Sequence, residues 1–139
     1  MSMQSTYFVI IGGNDRLLYE YPKESSMKYA SDNEYVLNQF VILSALDFIE
    51  EKKKSSSKMY FKTIDVYGSH HLSAFVTAGN VKFILMSSAK TDETKAFFNA
   101  VYELYVKIVL NPFYELQSPI ESDTLTEKIQ VLLKTNKLE

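Results

Sequence analysis

The stretch YFVIIGGND, residues 7–15, decides the fold of this chain. Its first five residues are β-branched or aromatic, which is typical of a buried strand. The two glycines and Asn14-Asp15 that follow them predict a turn, and residues 17–21 then resume the apolar pattern. The sequence therefore predicts that the fold begins with a β-hairpin.

Six further elements follow this hairpin. Apolar periodicity and turn residues predict a helix at 34–53, strands at 59–67, 71–78 and 81–87, a helix at 92–110, and a helix from about 122 to the end. Asn111-Pro112 ends the second helix, because proline disfavours helical geometry in the residue before it. Gly79-Asn80 predicts a two-residue hairpin turn with a positive φ. The predicted order is ββαβββαα.

The strands at 7–11 and 81–86 are apolar with little alternation, which indicates that both faces of the sheet are covered. One crossover helix and two terminal helices are available to cover them. We therefore predict an α/β three-layer sandwich, with a five-stranded antiparallel sheet between one helix and two others. The 139 residues show neither a repeat nor a long linker, so we expect a single domain spanning 1–139.

The composition excludes several classes of function. Lys and Arg number 15 against 17 Asp and Glu, so nothing favours nucleic-acid binding. The absence of cysteine removes disulfides and thiolate chemistry and suits a reducing compartment. No signal peptide and no apolar run of about 20 residues is evident. We expect a cytoplasmic protein that neither is secreted nor spans a membrane and that visits membranes only as a passenger.

The chain offers no convincing catalytic, cofactor-binding or metal-binding residues, so we expect no enzyme and no cofactor. The turn at 12–15 lacks the third glycine and the lysine of a phosphate-binding loop. His70-His71 are the only histidines, and we interpret them as turn residues. Adjacent strand residues point to opposite faces, so the two rings do not chelate one metal readily. An enzyme that uses two carboxylates would need a pocket with shifted pKa values.

The first helix carries the candidate binding site. Its sheet-facing arc is predicted to contain Leu37, Val41, Ile42, Ala45, Leu46, Phe48 and Ile49. The opposite arc is predicted to expose Gln39, Ser44, Asp47, Glu50 and Glu51. Val36, Phe40 and Leu43 fall among these polar residues, so either the loop at 22–33 or another protein must cover them. Val36, Phe40, Leu43 and Asp47 are the predicted protein-interaction residues.

The two later helices are predicted to pack on the sheet. Apolar residues of the second helix share one wide face that we interpret as core: Phe97, Phe98, Val101, Tyr102, Leu104, Tyr105, Ile108 and Val109. In the third helix, the apolar stripe consists of Leu125, Ile129, Leu132 and Leu133, and Val131 falls outside it. Thr124 and Glu127 have the spacing of a capping box.

Several stretches resemble the sedlin family, the subunit 2 family of the TRAPP vesicle-tethering complex. The resemblance covers about residues 7–133. Its more specific stretches are LNQF at 37–40, ALD at 45–47, MY at 59–60, SAFVTAG at 73–79, VY at 101–102, LY at 104–105, NPFYE at 111–115 and SPI at 118–120.

This resemblance implies a longin, or SNARE-like, fold and a non-enzymatic adaptor that joins core and peripheral TRAPP subunits. It implies vesicle tethering in transport from the endoplasmic reticulum through the intermediate compartment to the Golgi, with indirect contact to a Rab GTPase. Nucleotide exchange on that Rab belongs to the whole assembly. The alternative is another longin-fold trafficking adaptor, of the SNARE-regulatory or coat-subunit type. A SNARE would carry a heptad segment and an anchor after the longin domain, which we do not expect here.

Overall fold

The structure is a computed structural model that describes residues 6–21, 32–55, 60–67, 70–77, 79–87, 93–115 and 118–136. Its elements are β1 (Thr6–Ile11), β2 (Leu17–Tyr21), α1 (Asp32–Ser55), β3 (Tyr60–Tyr67), β4 (His70–Val76), β5 (Lys82–Ser87), α2 (Thr94–Val109) and α3 (Asp123–Thr135). The predicted order ββαβββαα is confirmed. Element boundaries differ from the predicted ones by a few residues.

The five strands form one sheet in the order β2-β1-β5-β4-β3, and all neighbouring strands are antiparallel. β1 and β5 lie side by side near the centre, with Val9 opposite Ile84 and Ile10 opposite Phe83. The crossover through α1 carries the chain from one edge strand, β2, to the other, β3. The predicted antiparallel sheet is therefore confirmed.

Side chains of the central strands alternate between two cores. In β1, Tyr7, Val9 and Ile11 belong to the core beneath α1, whereas Phe8 and Ile10 belong to the core beneath α2 and α3. This alternation follows from the period of two along a strand. It confirms the three-layer sandwich, with α1 on one face and α2 and α3 on the other.

Two hairpin turns lie side by side at one end of the sheet. The amide of Gly12 donates to the carbonyl oxygen of Arg16 at 2.7 Å, and that of Thr77 donates to the carbonyl oxygen of Val81 at 2.9 Å. Each bond encloses three chain positions, so the prediction of a two-residue turn at Gly79-Asn80 is wrong. A three-residue loop forms because the residue before the returning strand adopts left-handed geometry.

The left-handed positions are Asp15, with φ 63°, and Asn80, with φ 65°, so the predicted positive φ is confirmed. Asp and Asn tolerate this region better than other non-glycine residues. A Cβ placed on Gly13 would lie 2.9 Å from the carbonyl oxygen of Gly79. Glycine is therefore required at position 13 by the close approach of the two turns.

A hydrogen-bonded corner connects α2 to α3. The amide of Phe113 donates to Oδ1 of Asn111 at 2.9 Å, and the hydroxyl of Tyr114 donates to the carbonyl oxygen of Ser118 at 2.6 Å. The amide of Ile120 then donates to the carbonyl oxygen of Leu18 at 2.7 Å, which ties the corner to the edge strand β2. Phe113 remains 94% exposed at this corner.

α3 begins with a different cap from the predicted one. Ser122 is the N-cap residue, and its hydroxyl accepts a hydrogen bond from the amide of Leu125 at 3.1 Å. Thr124 already lies inside the helix, so the predicted capping box with Glu127 is wrong. Ser122 is the N-cap residue because its extended backbone directs the hydroxyl toward the free amides of the first turn.

Candidate protein-interaction site

One face of α1 is buried against the sheet. Val41, Ile42, Ala45 and Ile49 are buried, and Leu46 is half-buried against the same core. Their spacing follows the helical period, as the sequence predicts. The side chain of Leu37 lies outside the described residues.

Phe48 departs from the predicted sheet-facing arc. It is exposed at the edge of the buried face, and the ammonium of Lys52 lies 5.3 Å from the centre of its ring. The prediction that Phe48 packs on the sheet is therefore wrong. Its position at the border of the arc allows the ring to meet the Lys52 ammonium instead.

A polar cluster near one end of the sheet holds α1. The side-chain amide of Gln39 donates to the hydroxyl of Tyr7, and that hydroxyl donates to Oε2 of Glu20 at 3.0 Å. The Gln39 amide nitrogen also lies 3.5 Å from the same oxygen of Glu20. The prediction that Gln39 faces solvent is wrong, because the Tyr7 hydroxyl beneath the helix offers it a partner. This cluster joins α1 to β1 and β2.

A second polar cluster, centred on Lys82, lies toward the C-terminal half of α1. The side chain of Lys82 is only 1% exposed, and its ammonium lies 2.6 Å from Oδ1 of Asp15 and 4.0 Å from Oε1 of Glu50. A buried ammonium requires such partners, because its desolvation is otherwise costly. The cluster therefore joins β5, the first hairpin turn and α1.

Together the two clusters restrict rotation of α1 about its axis and so define its outer face. Phe40 is 67% exposed and Leu43 is 62% exposed on that face, and Asp47 is exposed one turn after Leu43. These residues follow at i, i+3 and i+7, so they form one stripe. Val36 lies in α1 one turn before Phe40, but its side chain is outside the described residues.

The charge on this stripe is uneven. Its N-terminal part is apolar, whereas Asp47, Glu50 and Glu51 expose carboxylates toward the C-terminal part. A partner that fits this surface would bring an apolar pocket for Phe40 and Leu43 and cations near Asp47. The apolar pair would supply most of the affinity, and the carboxylates would set orientation. Residues 22–31, most of the loop proposed as the alternative cover, lie outside the described residues.

The other motifs have structural roles. The turn at 12–15 is followed by β2, so it joins two strands and does not open a helix. His70 and His71 are the first residues of β4, opposite Tyr67 and Val66, so their interpretation as turn residues is wrong. Among the described residues, no three His, Cys, Asp or Glu side chains are grouped to hold a metal ion. Within those residues, no helix is long and apolar enough to cross a membrane.

Two tyrosines have displaced pKa values, and both belong to the packed core. Burial raises the pKa of Tyr19 to about 12, although its hydrogen bond with Thr126, at 2.8 Å, acts in the opposite direction. Burial also raises the pKa of Tyr105, and the nearby hydroxyls of Tyr114 and Tyr102 add to the effect. These groups stay neutral at physiological pH and contribute to packing between layers.

A groove between α2 and α3 forms a second open surface. Its volume is about 540 Å³, and its apolar lining consists of Ala100, Leu104, Val131 and Leu132. Val131 is 61% exposed, as expected from its position outside the apolar stripe of α3. The groove itself was not predicted, because it depends on how two helices separated by the corner are placed. The position of Val131 was its only signal in the sequence.

The comparisons with known proteins agree with the geometry. A family model described as Sedlin matches residues 10–135. The chain belongs to the sedlin family. Its five-stranded sheet, with one helix on one face and two on the other, is consistent with the longin-like fold expected from the resemblance.

Three relatives of this sedlin-family chain cover most of its length. It is 36% identical over 131 residues to the probable trafficking protein particle complex subunit 2 of Caenorhabditis elegans, covering 92% of this chain and 93% of the relative. The Drosophila melanogaster protein of the same name is 37% identical over 133 residues, covering 93% and 94%. The transport protein particle 20 kDa subunit of Schizosaccharomyces pombe is 32% identical over 134 residues, covering 94% and 97%.

Proposed function

We propose that this chain is a non-enzymatic adaptor subunit of a TRAPP-like complex and binds a neighbouring subunit through the exposed stripe of α1. The observation that carries the proposal is the exposure of Phe40 and Leu43 beside Asp47, on a helix whose opposite face is already buried. Isolated apolar residues are common on protein surfaces, but two large ones a turn apart suit the apolar centre of an interface, and the neighbouring carboxylate suits its polar rim. The names of the relatives support the assignment to a trafficking complex.

The stripe suits an adaptor because binding does not require α1 to move. The residues that hold α1 on the sheet differ from those that face outward, so a partner can cover Phe40 and Leu43 without disturbing Val41 or Ile49. The clusters around Gln39 and Lys82 hold the helix in a preset orientation. Preorganisation of this kind reduces the entropic cost of association.

The proposed cellular role is vesicle tethering in transport between the endoplasmic reticulum and the Golgi. In this role the chain meets the membrane only through its complex, and the assembled complex carries out nucleotide exchange on a Rab GTPase. Exchange is measured by the release of a fluorescent nucleotide from the Rab. The purified complex should accelerate release, whereas the isolated chain should leave the rate unchanged.

The stripe is tested with Phe40→Ala and Asp47→Tyr in the full chain. The tagged variants are expressed in cells of the source organism, and co-purification of named TRAPP subunits is quantified by mass spectrometry. Phe40→Ala should weaken capture by about 30-fold, equivalent to about 2 kcal/mol. Asp47→Tyr should weaken it through the lost charge and the added bulk. Both variants should melt within a few degrees of the unaltered protein.

Phe113→Ala is the matched control, because it removes the same type of side chain from an exposed position in another part of the molecule. It should leave capture through the stripe intact. A strongly lowered melting temperature of Phe40→Ala, together with normal capture by Asp47→Tyr, would show that the stripe is covered within the chain. Loss of capture to the same extent in Phe113→Ala would mean that the effect is not specific to α1.

A further inference from the structure

The groove between α2 and α3 lies on the opposite side of the sheet from the α1 stripe. Its apolar lining runs from Ala100 to Leu104 on α2 and from Val131 to Leu132 on α3. Leu104 and Leu132 are partly buried against the core, whereas the fully buried contacts of α3 are made by Leu125, Ile129 and Leu133. The core beneath the groove is therefore closed by other residues, and Val131 stays 61% exposed above it.

The groove continues into a smaller one of about 180 Å³, near the end of α2 and the start of α3. Leu104, Lys107 and Lys128 line both grooves. The smaller groove ends at Asn111 and Thr124, which places it next to the corner between the helices. The two grooves are adjacent and share these three residues, so we treat them together as one channel between α2 and α3.

Charge is distributed unevenly along this channel. Lys107 and Lys128 line both parts, and no carboxylate lines the smaller part. Glu103 and Glu127 line only the larger part. One end of the channel is therefore cationic, whereas the other carries both signs. An elongated ligand with a carboxylate at one end and a cation at the other would match this pattern in a single direction.

We propose that this channel binds an amphipathic helix of a second protein partner, with a carboxylate directed at Lys107 and Lys128 and a cation directed at Glu103 or Glu127. The α2 wall from Ala100 to Lys107 is about 10 Å long at the helical rise, which accommodates two turns of a docked helix. Apolar residues at i, i+3 or i+4 and i+7 would cover Leu104 and Val131. The inference rests on the adaptor role proposed above and extends it: the chain bridges two partners on opposite faces of its sheet.

A protein helix fits this channel better than an anionic membrane. Glu103 and Glu127 would be placed against the lipid headgroups, which repel carboxylates. Lipid adducts are nonetheless one outcome that the experiment below distinguishes.

The test uses the full-length chain with a photo-crosslinking amino acid at position 131, expressed in cells of its source organism. A second version carries the crosslinker at position 43, on the α1 stripe. Adducts are identified by mass spectrometry down to the crosslinked peptide. We expect position 131 to label a peptide with apolar residues at helical spacing, an acidic residue near one end and a basic residue near the other. We expect position 43 to label a different segment.

Charge variants sharpen this result. Lys107→Glu combined with Lys128→Glu should reduce the adduct at position 131 by at least 10-fold and leave the adduct at position 43 unchanged. Lys107→Arg combined with Lys128→Arg should retain the adduct at position 131, because the charges are kept. Thermal melts check that these exposed substitutions preserve the fold.

Several outcomes would overturn the inference. The first is an adduct at position 131 with lipid, with a second copy of this chain, or with a peptide that lacks the amphipathic pattern. The second is the absence of any adduct at position 131. If position 43 still labels a TRAPP subunit, such an outcome removes only the channel proposal. If position 43 also labels none, and the chain does not co-purify with TRAPP subunits, the proposed function itself is wrong.

Discussion

The two faces of the sheet are packed by different chemistry. Beneath α2 and α3 the core is rich in aromatic rings: Phe8, Tyr19, Tyr21, Phe83, Phe97, Phe98 and Tyr105 are all buried there. Beneath α1 the core is mostly aliphatic: Val9, Ile11, Val41, Ile42, Ala45, Ile49, Leu72, Ala74, Val76 and Ile84. Polar anchors occur on the α1 face, where Gln39 meets Tyr7 and Lys82 meets Asp15.

The difference between the aromatic and the aliphatic core affects how the helices on each face are held in place. Aromatic rings interlock in several directions, as where Phe97 meets Phe8 edge-on at 5.3 Å and Tyr105 meets Phe83 at 5.6 Å. Aliphatic side chains provide less directional packing, so a helix lying on them is more easily rotated. Directional polar contacts supply that restraint for α1. The helix with the proposed binding stripe is therefore oriented by hydrogen bonds and charge as well as by packing, whereas on the aromatic face the bond between Thr126 of α3 and Tyr19 adds to interlocked rings.

The largest expected loss of stability comes from a substitution on the aromatic face of the sheet. Phe97→Ala removes a fully buried ring that contacts both Phe8 and Phe98, and it should lower the free energy of unfolding by about 3–5 kcal/mol. Ile49→Val, on the aliphatic face, should cost only about 0.5–1.5 kcal/mol. Urea unfolding followed by circular dichroism measures both. Because Phe97→Ala removes far more buried carbon than Ile49→Val, equal losses would show that the Phe97 ring is not packed in the core.

The Lys82 cluster should give the next largest change in stability. Replacing Asp15 and replacing Lys82 should have different effects. Asp15→Asn leaves the buried ammonium without its closest anion, so it should cost about 2 kcal/mol. Asparagine keeps the left-handed turn accessible, which isolates the charge. Lys82→Met removes the buried charge and leaves Asp15 in contact with water, so its stability should change by less than about 1 kcal/mol. A larger loss in Lys82→Met than in Asp15→Asn would refute this account.

A smaller effect, dependent on pH, is expected at Tyr19. At pH 8, Tyr19→Phe should cost about 1 kcal/mol through the lost hydrogen bond with Thr126. The folded pKa of Tyr19, about 12, lies above the ordinary value of 10, so the unfolded chain loses its proton first as the pH rises. The unaltered protein should therefore lose about 1.4 kcal/mol between pH 9 and pH 11 that Tyr19→Phe does not lose.

Unfolding of both proteins is measured in urea at pH 8, 9 and 11. The comparison removes the contribution of lysine deprotonation, which both proteins share. The advantage of the unaltered protein at pH 8 should therefore be lost by pH 11, where Tyr19→Phe should be the more stable of the two by about 0.4 kcal/mol. A constant difference over this range would mean that Tyr19 ionises as easily in the folded state as in the unfolded chain.

The smallest effect on stability is expected at the α1 stripe. Leu43→Ala shortens a side chain that is mostly in water, so the free energy of unfolding should change by less than about 0.5 kcal/mol. Ile42→Ala, at the adjacent buried position, should cost about 2 kcal/mol or more. Thermal and urea unfolding of these two variants measure how much stability each side of α1 contributes. Similar losses would place Leu43 in a covered position.

Much of the fold was predictable because its signals are local. The strand at 7–11 and the strand around 81–86 have both faces covered by helices, and apolar runs without alternation indicate this directly. The placement of Phe40 and Leu43 on the arc of α1 opposite the sheet followed from helical periodicity alone. The ring of Phe48 was misplaced because it lies at the border of the buried arc, where the position of a neighbour such as Lys52 decides its exposure.

The features that could not be predicted depend on contacts between distant residues. Lys82 and Asp15 are 67 positions apart, and their ion pair forms only when β5 lies beside the first hairpin. Helical periodicity places Gln39 on the solvent side of α1, and only the folded structure shows that it bonds to the Tyr7 hydroxyl beneath the helix. The channel between α2 and α3 likewise depends on the corner that ends at Ile120. A single sequence contains no local pattern for these pairings.

The close approach of Gly13 to Gly79 has a consequence for how the chain can change during evolution. Because a Cβ at position 13 would meet the backbone of the other hairpin at 2.9 Å, a substitution there requires the second turn to move as well. An insertion in either turn meets the same obstacle. We therefore expect that relatives with a residue larger than glycine at position 13 also differ in the turn that contains Gly79, so that the two hairpins change together.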